Sequence, residues 1–567
     1  MRQFDVRVHR LEDVGPLRDW LRSNEIAVAG IGGKKVRVYI LEDLGVEARI
    51  AALPDVATVE EYIPPKLHND FARRLLGIDD PNNNPPLVIQ QEGDGQIVGV
   101  ADTGLDEDHP DLNGRIVGVV ALGRANDATD PHGHGTHVSG SILGDGTASG
   151  GTVRGVAPKA RLFFQSLLDA QGGLGGLPVN LGDLFDEAYQ QGVRIHNNSW
   201  GSAVRSMYTG DASDVDEFVA SHRDMLIVFS AGNEGKATDR LNSQAGFVDW
   251  LSVGSPASSK NSLAVGASRS SRTSGGLAGL TWGQGWPQEF PDPPIADENI
   301  SGDAESLAAF SSRGPCDDKR IKPDVVAPGT DIVSTKSSRA PLRNFWAAYP
   351  GNGQYAFLGG TSMAAPIVAG AATLVREYYV KDRQIDPSAA LLKASLMNCT
   401  RWLSGADATA DFQLMPNFHQ GFGRIYLPWA IPNPLVPWFG LEVVDTWQDV
   451  GAQFQQSGQR LRFQVDVTGG DWLRICLAWT DLPAGALQNN LDLFVQDPSG
   501  AKHMGNADLP MSLHIPDPEN HVELVRLEQP APGTYLIQVS ATNILRGPQD
   551  MALVVAGSLG SGLTSIS

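Results

Sequence analysis

The first 68 residues alternate hydrophobic and polar positions in the manner of short strands and helices. Strand-like and helix-like patterns follow one another at residues 4–8, 17–21, 27–30, 36–40, 46–53 and 56–63. The resulting β-α-β-β-α-β order predicts a ferredoxin-like α+β unit over residues 1–68. The pattern stops at Pro64 and Pro65, and a run rich in Asn, Asp and Pro at residues 79–86 is typical of a loop.

A different pattern occupies the middle of the chain, where short runs that are mostly apolar lie between helical stretches. The runs lie at residues 97–101, 162–167, 193–197, 226–229 and 263–265. Unbroken apolar strands are typical of parallel strands that are covered on both faces. We therefore expect a doubly wound α/β domain with a mostly parallel sheet over residues 69–430, with functional side chains at the carboxyl ends of its strands.

The last part of the chain changes pattern again. Short strand-like runs separated by Gly, Pro and Asn turns lie at residues 461–467, 472–479, 491–495, 522–527, 534–540 and 552–556. No helix-length pattern falls between them. This indicates an all-β antiparallel sandwich over residues 431–567.

Composition narrows the possible functions of this chain. Its 567 residues carry a formal net charge of −21, which makes nucleic acid an unlikely partner. Excess carboxylates suit divalent cations, although a solvated acidic surface explains them equally well. The apolar run at residues 364–375 is shorter than the 20 or so residues that span a bilayer, so we expect no membrane association. Three scattered cysteines predict no disulfide framework.

One serine stands where a nucleophile would be expected. Ser362 opens a helical run of small and apolar residues, and Pro366 is expected in the first helical turn. Free backbone N–H groups at a helix start would stabilise negative charge on a carbonyl oxygen beside Ser362. The alternative for a serine in this position is a helix cap.

Three further polar residues follow buried strands or open helices. Asp102 ends a strand, His134 lies in a glycine-rich stretch before a helix, and Asn233 follows another strand. A metal site formed by His132, His134 and His137 is an alternative, but no His-Glu-x-x-His pattern or nearby cysteine supports it. His137 is otherwise a structural histidine, and Asn233 an ordinary turn residue.

Four motifs in this order resemble a known family. Asp102-Thr-Gly, His134-Gly-Thr-His-Val, Ala231-Gly-Asn-Glu-Gly and Gly360-Thr-Ser-Met-Ala resemble the signatures of the subtilisin-like serine proteases. Further stretches, among them Asn198-Ser-Trp-Gly and Phe310-Ser-Ser-Arg-Gly-Pro, resemble bacterial alkaline subtilases with an inhibitor-like propeptide and a C-terminal β-jelly-roll. The resemblance covers essentially the whole chain.

The resemblance implies a role for each motif. Ser362 would be the nucleophile, His134 its general base, Asp102 the residue that orients the imidazole, and Asn233 an oxyanion donor. Substrate would lie as an added strand between residues 199–201 and residues 172–176. The implied substrate-binding residues are Ser199, Trp200, Gly201, Ser230, Ala231 and Gly232, whose small side chains at 230–232 suggest an open pocket for bulky apolar residues. A half-buried core tryptophan is the alternative for Trp200.

The resembling subgroup also implies structural Ca²⁺. Oxygen-bearing residues at the matching positions are Asp481, Asp492, Asn520, Glu523 and, beside an insertion at residues 275–294, Asp297. Asn490 stands where the related pattern has an aspartate, which would weaken a site by one charge. A solvated turn is the alternative for each of them.

The resemblance finally implies that residues 1–68 are a propeptide that is cut between His68 and Asn69, within a Lys-Leu-His-Asn-Asp sequence that related propeptides share. It would act as an intramolecular chaperone and inhibitor. We therefore expect a secreted, monomeric serine endopeptidase that cleaves proteins and peptides, although residues 1–5 begin no apolar signal sequence. The alternatives are an inactive scaffold locked by its pro-domain, and a protein that binds carbohydrate or a cell surface through its β-sandwich.

Overall fold

A computed structural model describes residues 2–40, 45–61, 70–79, 88–239, 241, 245–410, 415–507 and 516–566. Two units divide the chain, Met1–Leu67 and His68–Ser567. None of the helices in these ranges is long and apolar enough to cross a membrane. The three cysteines are free and buried.

The N-terminal unit is one antiparallel sheet with two helices. Its elements are β1 (Arg2–Val8), α1 (Val14–Ser23), β2 (Ala27–Gly32), β3 (Lys35–Ile40), α2 (Val46–Ala51) and β4 (Val56–Glu61). The strands lie in the order β2-β3-β1-β4. Alternate residues of β1 and β3, such as Val6 and Val38, are buried against Leu21 of α1 and Ile50 of α2 in one small core.

The second unit is built around a nine-stranded sheet. Strands of its first part are β5 (Ile97–Asp102), β6 (Ile116–Ala121), β7 (Arg161–Ser166), β8 (Ile195–Asn198), β9 (Leu226–Ser230), β10 (Leu263–Ser268), β11 (Val325–Pro328), β12 (Ile332–Thr335), β13 (Ala347–Ala348), β14 (Tyr355–Leu358), β15 (Thr400–Arg401) and β16 (Arg424–Ile425). The order in the large sheet is β15-β16-β11-β10-β9-β8-β5-β7-β6, while β12, β14 and β13 form a small antiparallel sheet. Within the large sheet, β15 alone runs antiparallel to its neighbour among the strands described. The expected mostly parallel α/β fold is confirmed.

Helices cover this sheet. They are α3 (Asp70–Leu75), α4 (His134–Leu143), α5 (Leu181–Gln190), α6 (Gly210–Ser221), α7 (Trp282–Gly285), α8 (Thr361–Glu377) and α9 (Ala389–Asn398). Helix α8 packs on α4 and on strands β8, β9, β10 and β11, and nearly all of its residues are buried. After β5, the chain first adds β6 and β7 on one side of that strand and then adds β8, β9 and β10 in turn on the other side. This change of direction opens a crevice at the carboxyl ends of β5 and β8.

Residues beyond 431 form two facing antiparallel sheets. Their strands are β17 (Gly440–Asp445), β18 (Arg460–Val467), β19 (Trp472–Ala478), β20 (Asn490–Gln496), β21 (Lys502–Met504), β22 (Val522–Glu528), β23 (Gly533–Asn543), β24 (Ala552–Gly557) and β25 (Thr564–Ile566). One sheet has the order β17-β24-β19-β22 and the other β21-β20-β23-β18-β25. A separate hydrophobic core fills the space between them.

The four-stranded sheet also packs on the α/β domain. Helix α9 contacts β19 and β24. Alternate residues of β19 consequently face different cores: Leu473 and Ile475 join the core of the sandwich, whereas Trp472 and Cys476 join the large core of the α/β domain. Being covered on both faces explains why β19 is buried along its whole length and carries one charged side chain, Arg474, which donates to the carbonyls of Asn398 and Thr400.

Candidate active site

The predicted catalytic residues lie where strands of the large sheet end. Asp102 is the last residue of β5, Ser199 directly follows β8, and Asn233 lies three residues beyond the end of β9. These three strands are neighbours in the sheet, so their carboxyl ends meet at one edge of the crevice. Helices α4 and α8 begin at the same edge and bring in His134 and Ser362.

A short hydrogen bond joins Asp102 and His134. The imidazole Nδ1 lies 2.7 Å from Asp102 Oδ1, which also accepts the backbone N–H of Thr103 at 2.7 Å. The aspartate side chain is only 2% exposed and the histidine 20%. Burial works against charge on the ring, but attraction to Asp102 and the hydrogen bond outweigh it and raise the pKa of His134 above its usual value. The hydrogen bond to Asp102 therefore orients the imidazole of His134, the first residue of α4, and leaves its Nε2 available to accept a proton.

A second buried carboxylate supports this pair, and the sequence interpretation had assigned it no role. Asp130 Oδ1 accepts from Thr103 Oγ1 at 3.0 Å and from the Gly133 N–H at 2.7 Å, and its Oδ2 accepts from the N–H and hydroxyl of Thr136. Burial raises the pKa of Asp130, and its charge adds to the forces that raise the pKa of His134. The only signal in the sequence was its position four residues before His134.

Ser362 is the second residue of α8 and is hydrogen-bonded to Ser199, the residue that follows β8. Its Oγ donates to the Ser199 carbonyl at 2.9 Å, and Ser199 Oγ donates to the Ser362 carbonyl at 2.9 Å. The Ser362 carbonyl is free for this because Pro366, which has no N–H, stands four residues later in the helix. Pro366 therefore lies in the second turn, and the expectation that it lies in the first turn is wrong.

No hydrogen bond joins Ser362 Oγ to His134 among the residues that the structure describes. The hydroxyl points to the Ser199 carbonyl instead. Rotation about the Cα–Cβ bond would redirect it, and catalytic hydrogen bonds are often incomplete in ligand-free enzymes.

The side chain of Asn233 is oriented by Thr361. Asn233 Oδ1 accepts from the Thr361 N–H at 2.8 Å and from Thr361 Oγ1 at 2.9 Å. With its oxygen held in this way, the amide NH₂ of this exposed residue is the group left to donate. Gly360 has φ 143°, and a Cβ there would lie 3.4 Å from Asn233 Nδ2, so a glycine keeps this donor uncrowded. Thr361 was missed as a functional residue, although a hydroxyl next to the predicted nucleophile was a visible signal.

The predicted substrate-binding residues border the same crevice. Trp200 is half-buried, donates its indole N–H to the Ala101 carbonyl at 3.0 Å, and packs edge-on against Phe229. Ser230 and Ala231 are buried, whereas Gly201 is exposed. Gly232 has φ 112°, and a Cβ there would approach Ser312 Oγ to 2.7 Å. The glycine at 232 therefore has a packing reason in this structure.

The other two histidines of the motif have separate environments. The His132 ring lies 6.0 Å from that of His134, edge to face. His137 is fully buried, with Nε2 3.2 Å from the Ala356 carbonyl, and burial lowers its pKa to about 3. No group of three or more His, Cys, Asp or Glu side chains in the described ranges is arranged to hold a metal ion.

The predicted calcium ligands are not all available to a cation. Asp481 is fully buried and already binds Lys260 Nζ at 2.7 Å and two backbone N–H groups. Asn520 binds the Ile321 N–H and Asp517. Asp297 ends a short 3₁₀ helix that follows α7. Asp481 and Asn520 therefore do not fit a calcium site, because their oxygens hold the sandwich to the α/β domain or to its own loop.

Glu523 differs from these residues, whereas both oxygens of Asp492 accept hydrogen bonds, from Asn490 and Thr542. Glu523 is 1% exposed, its Oε2 accepts the Leu493 N–H at 2.6 Å, and its Oε1 is buried without a partner among the described atoms. Burial and the nearby Asp517 and Asp492 raise the pKa of Glu523 well above its usual value. Asn490 Oδ1 is likewise buried without a partner in that part of the chain. Among the predicted positions that the structure describes, Glu523 thus has a buried oxygen, Oε1, that is left for a cation.

The predicted cleavage site at His68 and Asn69 lies outside the described residues.

Comparison with known proteins identifies the family. Residues 93–423 match the model of the subtilase family, and this stretch contains Asp102, His134, Asn233 and Ser362. The chain belongs to the subtilase family. Subtilisin Savinase of Lederbergia lenta is 32% identical over 285 residues, which are 50% of this chain and 77% of that protein.

Longer relatives are also similar to this subtilase. The serine protease/ABC transporter B family protein tagA of Dictyostelium discoideum is 28% identical over 560 residues, covering 84% of this chain but only 31% of that protein. The chain thus spans about a third of that relative's length. Among solved structures, fervidolysin of Fervidobacterium pennivorans, described as a keratinolytic enzyme related to subtilisin, is 18% identical, covers 93% of this chain and 69% of its own, and gives a TM-score of 0.44.

Proposed function

We propose that this subtilase is a serine endopeptidase that hydrolyses peptide bonds in proteins and peptides through Asp102, His134 and Ser362. The observation that carries the proposal is the 2.7 Å bond from His134 to a buried Asp102 at the sheet edge where α8 delivers Ser362. The family match and the relatives named serine proteases support it.

The geometry gives each residue a role. Asp102 fixes the tautomer of His134, so that Nε2 can accept the proton of Ser362 as its Oγ attacks the peptide carbonyl carbon. The oxyanion of the tetrahedral intermediate would accept from the Asn233 amide and from backbone N–H groups at the start of α8. His134 then returns the proton to the departing amine, and water hydrolyses the acyl-enzyme by the same steps.

The test is hydrolysis of casein by the purified protein and by Ser362→Ala. We expect the substitution to lower kcat by about 10⁶-fold, the loss that follows removal of a nucleophile that acts as a unit with its base. Substantial hydrolysis by purified Ser362→Ala would contradict the assignment.

Calcium at the Asp492–Glu523 corner is a second part of the proposal. Carboxylate and amide oxygens suit Ca²⁺, and a cation would satisfy the unpartnered Glu523 Oε1. Binding to the folded state alone would stabilise it, so excess chelator should lower the thermal midpoint and calcium should restore it. Glu523→Gln should abolish this response, and an unchanged midpoint in chelator would remove calcium from the account.

We also propose that residues 1–68 are a ferredoxin-like pro-domain that assists folding and inhibits the protease, and that residues 431–567 are a jelly-roll module. The predicted cleavage between His68 and Asn69 can be tested by sequencing the large fragment after incubation. We expect an N-terminus at Asn69 in the wild-type chain and an intact chain in Ser362→Ala. Cleavage that persists in Ser362→Ala would overturn self-processing.

Secretion and a monomeric state complete the proposal. The family match supports secretion. The net charge of −21 supports a monomeric state, because like-charged molecules repel one another. Sedimentation of the Ser362→Ala chain should give a single species at the mass of one chain.

A further inference from the structure

A groove lies on the outer sheet of the sandwich, away from the active site. It encloses about 630 Å³ and is formed by the outward faces of β18, β20 and β23. The four-stranded sheet lies between this sheet and helix α9, since β19 and β24 contact α9 while β18, β20 and β23 belong to the other layer. The groove therefore faces away from the α/β domain.

The strand register brings the lining side chains into rows. Directly opposite residues of an antiparallel sheet share a face. The rows across β20, β23 and β18 are Asp492–Ser540–Arg460, Phe494–Gln538–Arg462 and Gln496–Leu536–Gln464. The groove is thus a regular surface of the sheet, with cationic groups along β18 and an apolar and amide-bearing floor.

The charges of the groove are unbalanced. Arg460, Arg462 and Lys502 line it, and none of the three forms an ion pair with another described residue. Arg462 donates to Gln538 Oε1 at 3.1 Å, which holds the guanidinium on the sheet. The carboxylate in the groove, Asp492, is 2% exposed and accepts hydrogen bonds from Asn490 and Thr542. In a chain of net charge −21, this positive face is suited to an acidic ligand.

The other lining groups favour a polypeptide over a sugar polymer. Leu536 is 40% exposed, and Phe494 and Ile566 are partly exposed. Aliphatic side chains fit the side chains of a peptide, and the amides of Gln496 and Gln538 can bind its backbone. Sugar rings prefer flat aromatic surfaces, and Phe494 is the one aromatic ring among the described lining residues.

We propose that this groove binds an acidic, extended segment of a protein substrate and holds that protein while another segment enters the active site. The inference rests on the proposed endopeptidase function. Holding a substrate at a second site raises its effective concentration at Ser362. Arg462 would therefore lower KM for acidic proteins and have no effect on peptides too short to reach both sites.

Binding can be measured without catalysis. The full-length Ser362→Ala chain is titrated into a fluorescent ten-residue peptide of alternating Glu and Leu, and anisotropy gives Kd. Arg462→Glu replaces attraction by repulsion, so we expect Kd to rise about fivefold, in keeping with the strength of exposed charge pairs. Arg161→Glu is the matched control, since Arg161 is exposed at the start of β7 and forms no ion pair with the residues described.

The outcomes separate the possibilities. Equal binding of the Glu-Leu peptide and a Lys-Leu peptide, or an unchanged Kd in Arg462→Glu, would overturn the proposal. Binding of polygalacturonate that Arg462→Glu weakens, with no binding of the Glu-Leu peptide, would overturn it in favour of an acidic polysaccharide. Should Arg462→Glu fail to fold, Arg460→Glu makes the same test. Because the assay needs no turnover, absence of peptide binding would leave the endopeptidase function untouched. Absence of casein hydrolysis would in turn leave the measured Kd unchanged and would overturn only the endopeptidase function and the substrate-holding role that rests on it.

Discussion

Replacing Asp481 by asparagine should destabilise the second unit, because it removes the charge that balances a buried lysine. Asp481 belongs to the sandwich and Lys260 to the α/β domain, and both side chains are fully buried. Lys260 Nζ binds Asp481 Oδ2 at 2.7 Å and two carbonyls of the loop that follows, those of Leu482 and Ala486. Asparagine keeps the shape but loses the charge.

The size of the effect follows from these contacts. Asp481 accepts from Lys260 and from the N–H groups of Gln488 and Asn489, so all its partners are donors. An asparagine must turn one N–H group toward a donor and leave the ammonium unbalanced. Breaking a buried ion pair from one side costs about 3–5 kcal/mol, and we expect a loss of this size in the free energy of unfolding.

The assay is denaturant unfolding in the Ser362→Ala background, which prevents self-digestion. Asp466→Asn is the control, because Asp466 is exposed on β18 and binds Thr534; we expect a change within about 0.5 kcal/mol. The double variant Lys260→Met/Asp481→Leu should lose less than Asp481→Asn alone, since neither charge of the pair is then left buried without its partner. A loss below about 1 kcal/mol for Asp481→Asn would refute the reasoning.

Three further predictions concern the active site and the interface. Thr361→Val should leave KM nearly unchanged and lower kcat, by less than the 10²–10³-fold or so expected for Asn233→Ala. Thr361→Ser keeps the hydroxyl and should restore kcat. Equal activity of Thr361→Val and the wild type would contradict the role of the hydroxyl. Because His134 must be neutral to act as a base and its pKa is raised, kcat/KM should rise with pH through an apparent pKa above the usual value of about 6.5; an acid limb below that value would disagree. Burial lowers the pKa of Lys393 to about 7, below that of an unfolded lysine, so the folded state binds fewer protons between about pH 7 and pH 10 and its stability should rise over this range. Lys393→Met should flatten this rise in the thermal midpoint. An equally steep rise in the variant would exclude Lys393 as its source.

Much of the fold was predictable because its signals are local. Mostly apolar runs identified β5, β7, β9 and β10, since strands covered on both faces need no polar face. The run at residues 193–197 located β8, whose His196, Asn197 and Asn198 are buried although they are polar. Strand β6 carries the same local signal, Ile116-Val-Gly-Val-Val-Ala, and the prediction passed over it; the structure places it half-buried at the edge of the sheet. Strand β16 is two residues long and depends on pairing with β11, which no local pattern reveals.

The active site was predictable to the level of motifs and no further. The motifs located the four polar residues that the structure places at the sheet edge. The reciprocal hydrogen bonds of Ser199 and Ser362 join residues 163 positions apart, so they follow only from the folded chain. The same reason explains Asp481: an oxygen that suits calcium in sequence is taken by Lys260, which lies 221 positions away.

The most direct test of the central claim is reaction of the purified protein with a fluorophosphonate, followed by mass spectrometry of its peptides. A serine becomes reactive toward this reagent only when a base activates it and the oxyanion is stabilised. The account predicts one adduct, on Ser362, that is lost in His134→Ala. An active protease that carries no adduct on Ser362, or an adduct that His134→Ala leaves unchanged, would contradict it.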